Sequence, residues 1–181
     1  MGSETNQDFT IKTEDAPARV VENDEKRTYY LFREKDPNYP LELIVTEVPP
    51  GHTQPYHAHS TIDEITVVLS GEITGLIKDP QTGKVTEHTV KAISFYDPDK
   101  QHFHGITATT DGQTKIILED AETGEITEHD LPYEEGFDAG KAIHTMDNRT
   151  DGWCVTATVK KTTPETFSKN PKIFQEDKIN H

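Results

Sequence analysis

The stretch PPGHTQPYHAHSTIDEITVVLSGEITG, residues 49–75, decides how this chain is interpreted. It places His57 and His59 two residues apart, with Glu64 five residues further on and Gly51 and Gly71 on either side. Residues i and i+2 of an extended strand point to the same side, so both imidazoles can reach one ion. Glu64 opens the next apolar segment and can add a carboxylate. Imidazole and carboxylate groups bind divalent first-row metals, so the stretch predicts a metal site.

These five residues resemble the first signature of the cupin superfamily, G-x5-H-x-H-x4-E-x6-G, at every defined position. The resemblance implies an all-β fold, the cupin-type double-stranded β-helix or jelly-roll barrel. It also implies one divalent transition metal ion per chain, held by three histidines and one glutamate. Fe2+ is the favoured ion, and Mn2+, Ni2+ and Zn2+ are alternatives.

The fourth ligand is sought in the second cupin signature, G-x5-P-x-G-x2-H-x3-N, some 20 residues beyond the first. The segment KAISFYDPDKQHFHGI, 91–106, lies at that place. His102 aligns with the histidine of the signature, and the other defined positions hold Lys91, Asp97, Asp99 and Ile106. The resemblance therefore implies His57, His59, Glu64 and His102 as ligands. His104 is the rival, because it shares a strand face with His102.

Two residues are candidates for a catalytic role. In some cupins the glutamate of the first signature leaves the metal and acts as a base. The resemblance implies the same role for Glu64. His104, if it faces inward without binding the ion, is expected to contact the substrate or to orient a ligand.

Short segments with alternating apolar residues, separated by Gly and Asp turns, predict an antiparallel sandwich or barrel. The predicted strands are 26–32, 41–48, two within 64–79, 84–90, 92–97, 102–109, 113–120, 125–131 and 153–161. We assign 1–26 to a polar N-terminal extension and 27–131 to the β-barrel. The turn-rich residues 132–181 are expected to form a C-terminal extension that packs on the barrel and includes a short helix.

Composition narrows the classes of partner. The 181 residues carry a net charge of −15, which disfavours nucleic acid and anionic membranes. There is one cysteine, Cys154, and no apolar run long enough to span a bilayer. We expect a cytoplasmic protein with a small-molecule substrate. Cupins commonly pair through an edge sheet, so the resemblance implies a homodimer that pairs through the strand at 26–32.

The cupin fold hosts many activities, so the resemblance leaves the reaction open. A complete ligand set favours a metal enzyme, and a small-molecule dioxygenase is the first hypothesis. A non-redox cyclase, isomerase or lyase is the second, and a non-catalytic small-ligand-binding cupin is the third. Strand parity places Thr66, Val68, Ile106 and Ala108 beside the ligands, which predicts a largely hydrophobic substrate.

Overall fold

A computed structural model describes residues 9–12, 18–22, 24–31, 41–59, 61–108, 114–130 and 142–172. Strands form most of these ranges. They are β1 (Phe9–Lys12), β2 (Ala18–Glu22), β3 (Glu25–Leu31), β4 (Leu41–Val48), β5 (Asp63–Ser70), β6 (Glu72–Lys78), β7 (Val85–Lys91), β8 (Gln101–Ala108), β9 (Thr114–Asp120), β10 (Ile126–Asp130), β11 (Ile143–Asp147) and β12 (Cys154–Lys161), followed by helix α1 (Pro164–Lys169). No helix within the described ranges is both long and apolar enough to cross a membrane.

The strands form three sheets, and all the strand pairs are antiparallel. The strand orders are β2-β3-β4-β12-β5, β1-β8-β9-β10 and β11-β6-β7. The prediction of an antiparallel all-β fold is therefore confirmed.

The main hydrophobic core lies between the five-stranded and the four-stranded sheets. From the first it takes Leu43, Leu69 and Ala157, and from the second Ile106 and Leu118. Because successive side chains of a strand point to opposite faces, the residues between these core positions lie on the other face of the five-stranded sheet. Ile106 belongs to this core and not to the face that carries Glu64.

That opposite face is unusually polar for a buried surface. Thr46, Thr156, Thr158 and Lys160 are all buried there, next to Glu64 on β5. Burying a polar group costs free energy unless the group has a hydrogen-bond or ionic partner. Packing alone therefore does not account for the polar residues on this face. A small apolar cluster that includes Cys154 packs at the far end of the same face.

Strands near the two ends of the chain take part in the sheets. β12 lies between β4 and β5, and β11 pairs with β6. The stretch assigned to the C-terminal extension, 132–181, thus contains a central strand of the five-stranded sheet. β1 and β2, from the stretch assigned to the N-terminal extension 1–26, pair with β8 and β3.

The structure differs from two further predictions, which concern the segments 92–97 and 26–32. The predicted strand at 92–97 does not form, because the chain turns there, with Tyr96 N donating to Ile93 O and Lys100 N to Asp97 O. The segment proposed for dimer pairing, 26–32, corresponds to β3, whose two edges are already occupied by β2 and β4. Among the strands that the structure describes, β2 is the edge strand on that side of the sheet, and the homodimer stays a prediction.

The hairpins β6–β7 and β9–β10 close with the same turn sequence, Asp-x-x-Thr-Gly, at 79–83 and 120–124. In each turn the aspartate Oδ1 accepts hydrogen bonds from the backbone N–H groups two and three residues further on. The closing glycines have φ values of +69° and +71°, a conformation that glycine adopts at little cost.

Candidate metal centre

Four side chains converge beside the polar face of the five-stranded sheet. They belong to His57, His59, Glu64 and His144, and one ligand atom from each lies within 4.8 Å of all the others. The imidazole centroids are 4.4 Å apart for His57 and His144, and 4.9 Å apart for His57 and His59. With metal–nitrogen distances of about 2.1 Å, two ligands of one ion lie no more than about 4.2 Å apart. A small inward adjustment would bring all four onto a single ion.

Backbone pairing joins the two distant parts of the chain that supply the ligands. His57 and His144 form an antiparallel bridge outside the regular strands. The Nδ1 of His57 lies 3.0 Å from Pro55 O, and the Nδ1 of His144 lies 2.9 Å from Ala142 O. An Nδ1–H that donates to a carbonyl leaves Nε2 with the lone pair that a metal needs. The buried Nε2 of His144 has no hydrogen-bond partner among the described residues.

Glu64 lies at the centre of the charges. Its Oε2 is 2.9 Å from His59 Nε2 and 3.6 Å from Lys160 Nζ, and its Oε1 is 3.8 Å from His144 Nε2. Burial by itself would raise the pKa of Glu64. The hydrogen bond with His59 and the charges of Lys160 and the imidazoles outweigh it and lower the pKa to about 2. The carboxylate is therefore charged at neutral pH, as a metal ligand must be.

His57 is the least buried of the four. The pKa of His57 is lowered to about 4, mainly by desolvation. The hydrogen bond to Pro55 raises the pKa, and the charges of His144 and His59 lower it further. The imidazole is neutral at physiological pH, so a metal does not have to displace a proton from it.

Comparison with known proteins places this arrangement in a known fold. No protein-family model matches the sequence, and no curated protein is significantly similar to it. Among solved structures, a mutant of Bacillus subtilis oxalate decarboxylase has a TM-score of 0.50 and 14% identity, covering 90% of this chain and 31% of that one. A formate complex of Lactobacillus farciminis oxalate decarboxylase has a TM-score of 0.50 and 16% identity, covering 94% and 36%. The chain has the cupin fold. It spans about a third of the length of those two proteins.

The structure does not bring His102 to the group. His102 is exposed on β8, in the four-stranded sheet. His104 is the extra residue of a β-bulge, since the register with β9 shifts between Phe103 and Gly105, and its Nδ1 lies 3.1 Å from Glu119 Oε2. His102 lies directly opposite Glu119 and His104 contacts the same glutamate, so both histidines lie on the side of β8 that faces away from Phe103 and the hydrophobic core. His144 replaces His102 in the group, and neither histidine of β8 contacts it.

A sequence signal for His144 exists in the cupin pattern. His144 and Asn148 have the H-x3-N spacing that ends the second signature, whereas the alignment on His102 lacks the asparagine. Asn148 is fully buried, and its Nδ2 lies within 3.0 Å of the carbonyls of Val48, Pro49 and Gly152. The assumed distance of some 20 residues between the two signatures hid this match, because β6 to β10 lie between the two halves of the site.

The donor set limits the choice of metal. Cys154 packs in an apolar cluster, where burial raises the pKa of its thiol to about 12, so no thiolate joins the group. Three imidazoles and one carboxylate fit Fe, Mn, Co, Ni or Zn. Four protein ligands on an ion that accepts five or six leave positions open for small molecules.

Proposed function

We propose that this protein is a metal-dependent cupin enzyme that acts on a small polar organic molecule. One divalent transition metal ion would be held by His57, His59, Glu64 and His144. The observation that carries the proposal is the convergence of four ligand atoms, with two imidazoles fixed at Nδ1 by backbone carbonyls. These hydrogen bonds fix the tautomer of each imidazole before any ion binds. Metal-binding histidines are usually oriented in this way.

The surroundings of the site favour a polar substrate over the hydrophobic one predicted from strand parity. Ile106 packs in the core on the other side of the sheet. Thr66 and Thr158, whose hydroxyls are 2.9 Å apart, lie next to the ligand Glu64 on its own face. These hydroxyls can orient the oxygen atoms of a substrate. A bound ion would act as a Lewis acid or, if redox-active, would take part in chemistry with O2.

For the reaction class, we retain the dioxygenase with Fe2+ as the first proposal. A donor set of three neutral imidazoles and one carboxylate, with open positions on the ion, supports it, but it supports a non-redox lyase, isomerase or cyclase equally well. The proteins of similar structure are named as oxalate decarboxylases, so oxalate belongs among the compounds to be tried. A cupin that only binds a small ligand is the third possibility.

The decisive experiment measures metal content and oxygen use together. Protein purified without a metal-affinity tag should contain close to one equivalent of a first-row metal by mass spectrometry, and H57A and H59A variants should contain none. Full metal content in both variants would overturn the proposed site. With a panel of small acids and alcohols, oxygen consumption coupled to substrate loss would favour the dioxygenase. Turnover that continues without oxygen would favour the non-redox class, and metal binding without any turnover would favour the third possibility.

A further inference from the structure

Lys160 occupies an unusual position beside the candidate metal centre. In the five-stranded sheet it lies directly opposite Glu42 of β4 on one side and Glu64 of β5 on the other. Lys160 and Glu42 are buried, with 6% and 0% of their surface exposed. Residues directly opposite each other in neighbouring strands share a face. The ammonium group of Lys160 is therefore held on the metal side of the sheet, 3.6 Å from a candidate ligand oxygen.

The charges on this part of the face balance neither without a metal nor with a metal alone. Glu42 and Glu64 bring two negative charges and Lys160 one positive charge. Imidazoles that bind a metal are neutral, so a divalent ion leaves one net positive charge in a buried place. Arg27, further along the same face, does not alter this balance, since its guanidinium lies 2.6 Å from Glu25. Buried charge needs a partner, and an anion bound beside the ion would provide it.

The same face offers polar groups for the remainder of such an anion. The Thr66 and Thr158 hydroxyls come next after the Glu64–Lys160 pair. Beyond them, Thr156 is fully buried, and its Oγ1 has no hydrogen-bond partner among the residues that the structure describes. A row consisting of an ammonium group and three hydroxyls suits a ligand with several oxygen atoms better than an apolar one.

We infer that Lys160 binds a carboxylate group of the substrate, so that this cupin acts on small organic acids whose carboxylate lies between the metal and the Lys160 ammonium. The inference rests on the proposed metal site and adds the substrate class to it. The competing explanation is that Lys160 only stabilises the charge of Glu64. That role would affect metal binding but would not distinguish a charged ligand from an uncharged one.

The test uses Co2+-loaded protein, because the visible absorption of Co2+ reports a ligand that joins the ion. Malonate is the probe, and malonamide is its uncharged control. Wild-type protein should bind malonate more tightly than malonamide. K160Q should weaken malonate binding by at least about tenfold, the loss expected for one charge-assisted hydrogen bond, with little effect on malonamide. K160R should retain most of the affinity, and K161Q, at the exposed neighbouring position, should behave as wild type.

The outcomes separate the two proposals. Wild-type protein that does not bind Co2+ would contradict the metal site itself. Co2+ binding with equal malonate affinity in wild type and K160Q would overturn only the role of Lys160. If K160Q loses the ion, K160M, which keeps the aliphatic part of the side chain, is compared in its place. Loss of Co2+ in both variants would make Lys160 a structural partner of Glu64 and would also overturn the inference.

Discussion

His57 and His144 donate backbone hydrogen bonds to each other, His57 N to His144 O at 2.9 Å and His144 N to His57 O at 2.8 Å. The pair joins the loop before β5 to strand β11 and fixes the distance between the two parts of the candidate metal site. Both residues then use Nδ1 for a nearby carbonyl. The backbone therefore sets the positions of both imidazoles, and the Nε2 of His144 lies 3.8 Å from Glu64 Oε1.

The first prediction separates His144 from the two histidines of β8. His144→Ala should lower metal affinity by a factor of about 100 or more, because it removes one of four ligands from a buried site. His102→Ala and His104→Ala should keep one equivalent of metal, because neither side chain belongs to the group. Competition with a chromophoric chelator measures all three affinities. Metal loss in H102A with normal binding in H144A would contradict the ligand set.

Local spacing was sufficient for one half of the site and insufficient for the other. His57, His59 and Glu64 lie within a single short segment, so alternation along the chain already places them together. His144 reaches them through the pairing of segments that are far apart in the sequence. The local sequence pattern does not predict which residues of such segments lie opposite each other. The alternating apolar residues of segment 41–48 predict a strand with the limits that the structure shows. The strand predicted at 92–97 is absent, because the chain turns within this segment, where Tyr96 N donates to Ile93 O.

The second prediction concerns the stability of the metal-free protein as the pH falls. His57 has a pKa of about 4 in the folded state, against an ordinary value of 6.5. Between these values the unfolded chain binds the proton and the folded protein does not, so the free energy of unfolding should fall as the pH is lowered from 6.5 to 4. The loss should reach about 3 kcal/mol at most. Urea unfolding in the presence of a chelator measures it.

The control for that prediction is His57→Gln, which keeps a polar side chain that does not titrate. Its unfolding free energy should vary less than that of wild type between pH 6.5 and 4. Below pH 4.5 both proteins should lose stability, because Glu64 is protonated in the unfolded chain before it is protonated in the folded protein. Identical profiles for the two proteins above pH 4.5 would contradict the role given to His57.

The third prediction tests the buried amide that closes the loop after β11. Asn148 donates towards three carbonyls and accepts from the backbone N–H and hydroxyl of Thr150. Asn148→Ala should destabilise the protein by about 2–4 kcal/mol, since it leaves buried carbonyls without donors. Asn148→Asp should cost more, because it turns a carboxylate towards those carbonyls. Thr150→Ala, which removes the hydroxyl that donates to Asn148 Oδ1, should cost about 1 kcal/mol. Chemical denaturation that ranks T150A as the most damaging of the three would contradict this account.

The fourth prediction explains why the first cupin signature ends in glycine at position 71. Gly71 has φ +80°, and a Cβ added there would lie 2.9 Å from Trp153 O and 3.2 Å from Cys154 Cα. Gly83 has a similar φ of +69°, with nothing within 4 Å of an added Cβ. Gly83→Ala should therefore cost only the backbone strain of about 1–2 kcal/mol. Gly71→Ala carries the same strain and must also push the β5–β6 turn away from the start of β12, so it should cost at least about 1 kcal/mol more. Because that turn follows the strand that carries Glu64, G71A should also weaken metal binding, while G83A should leave it unchanged. Equal unfolding free energies for the two variants, measured in urea with and without metal, would show that contact with β12 is not what requires glycine at this position.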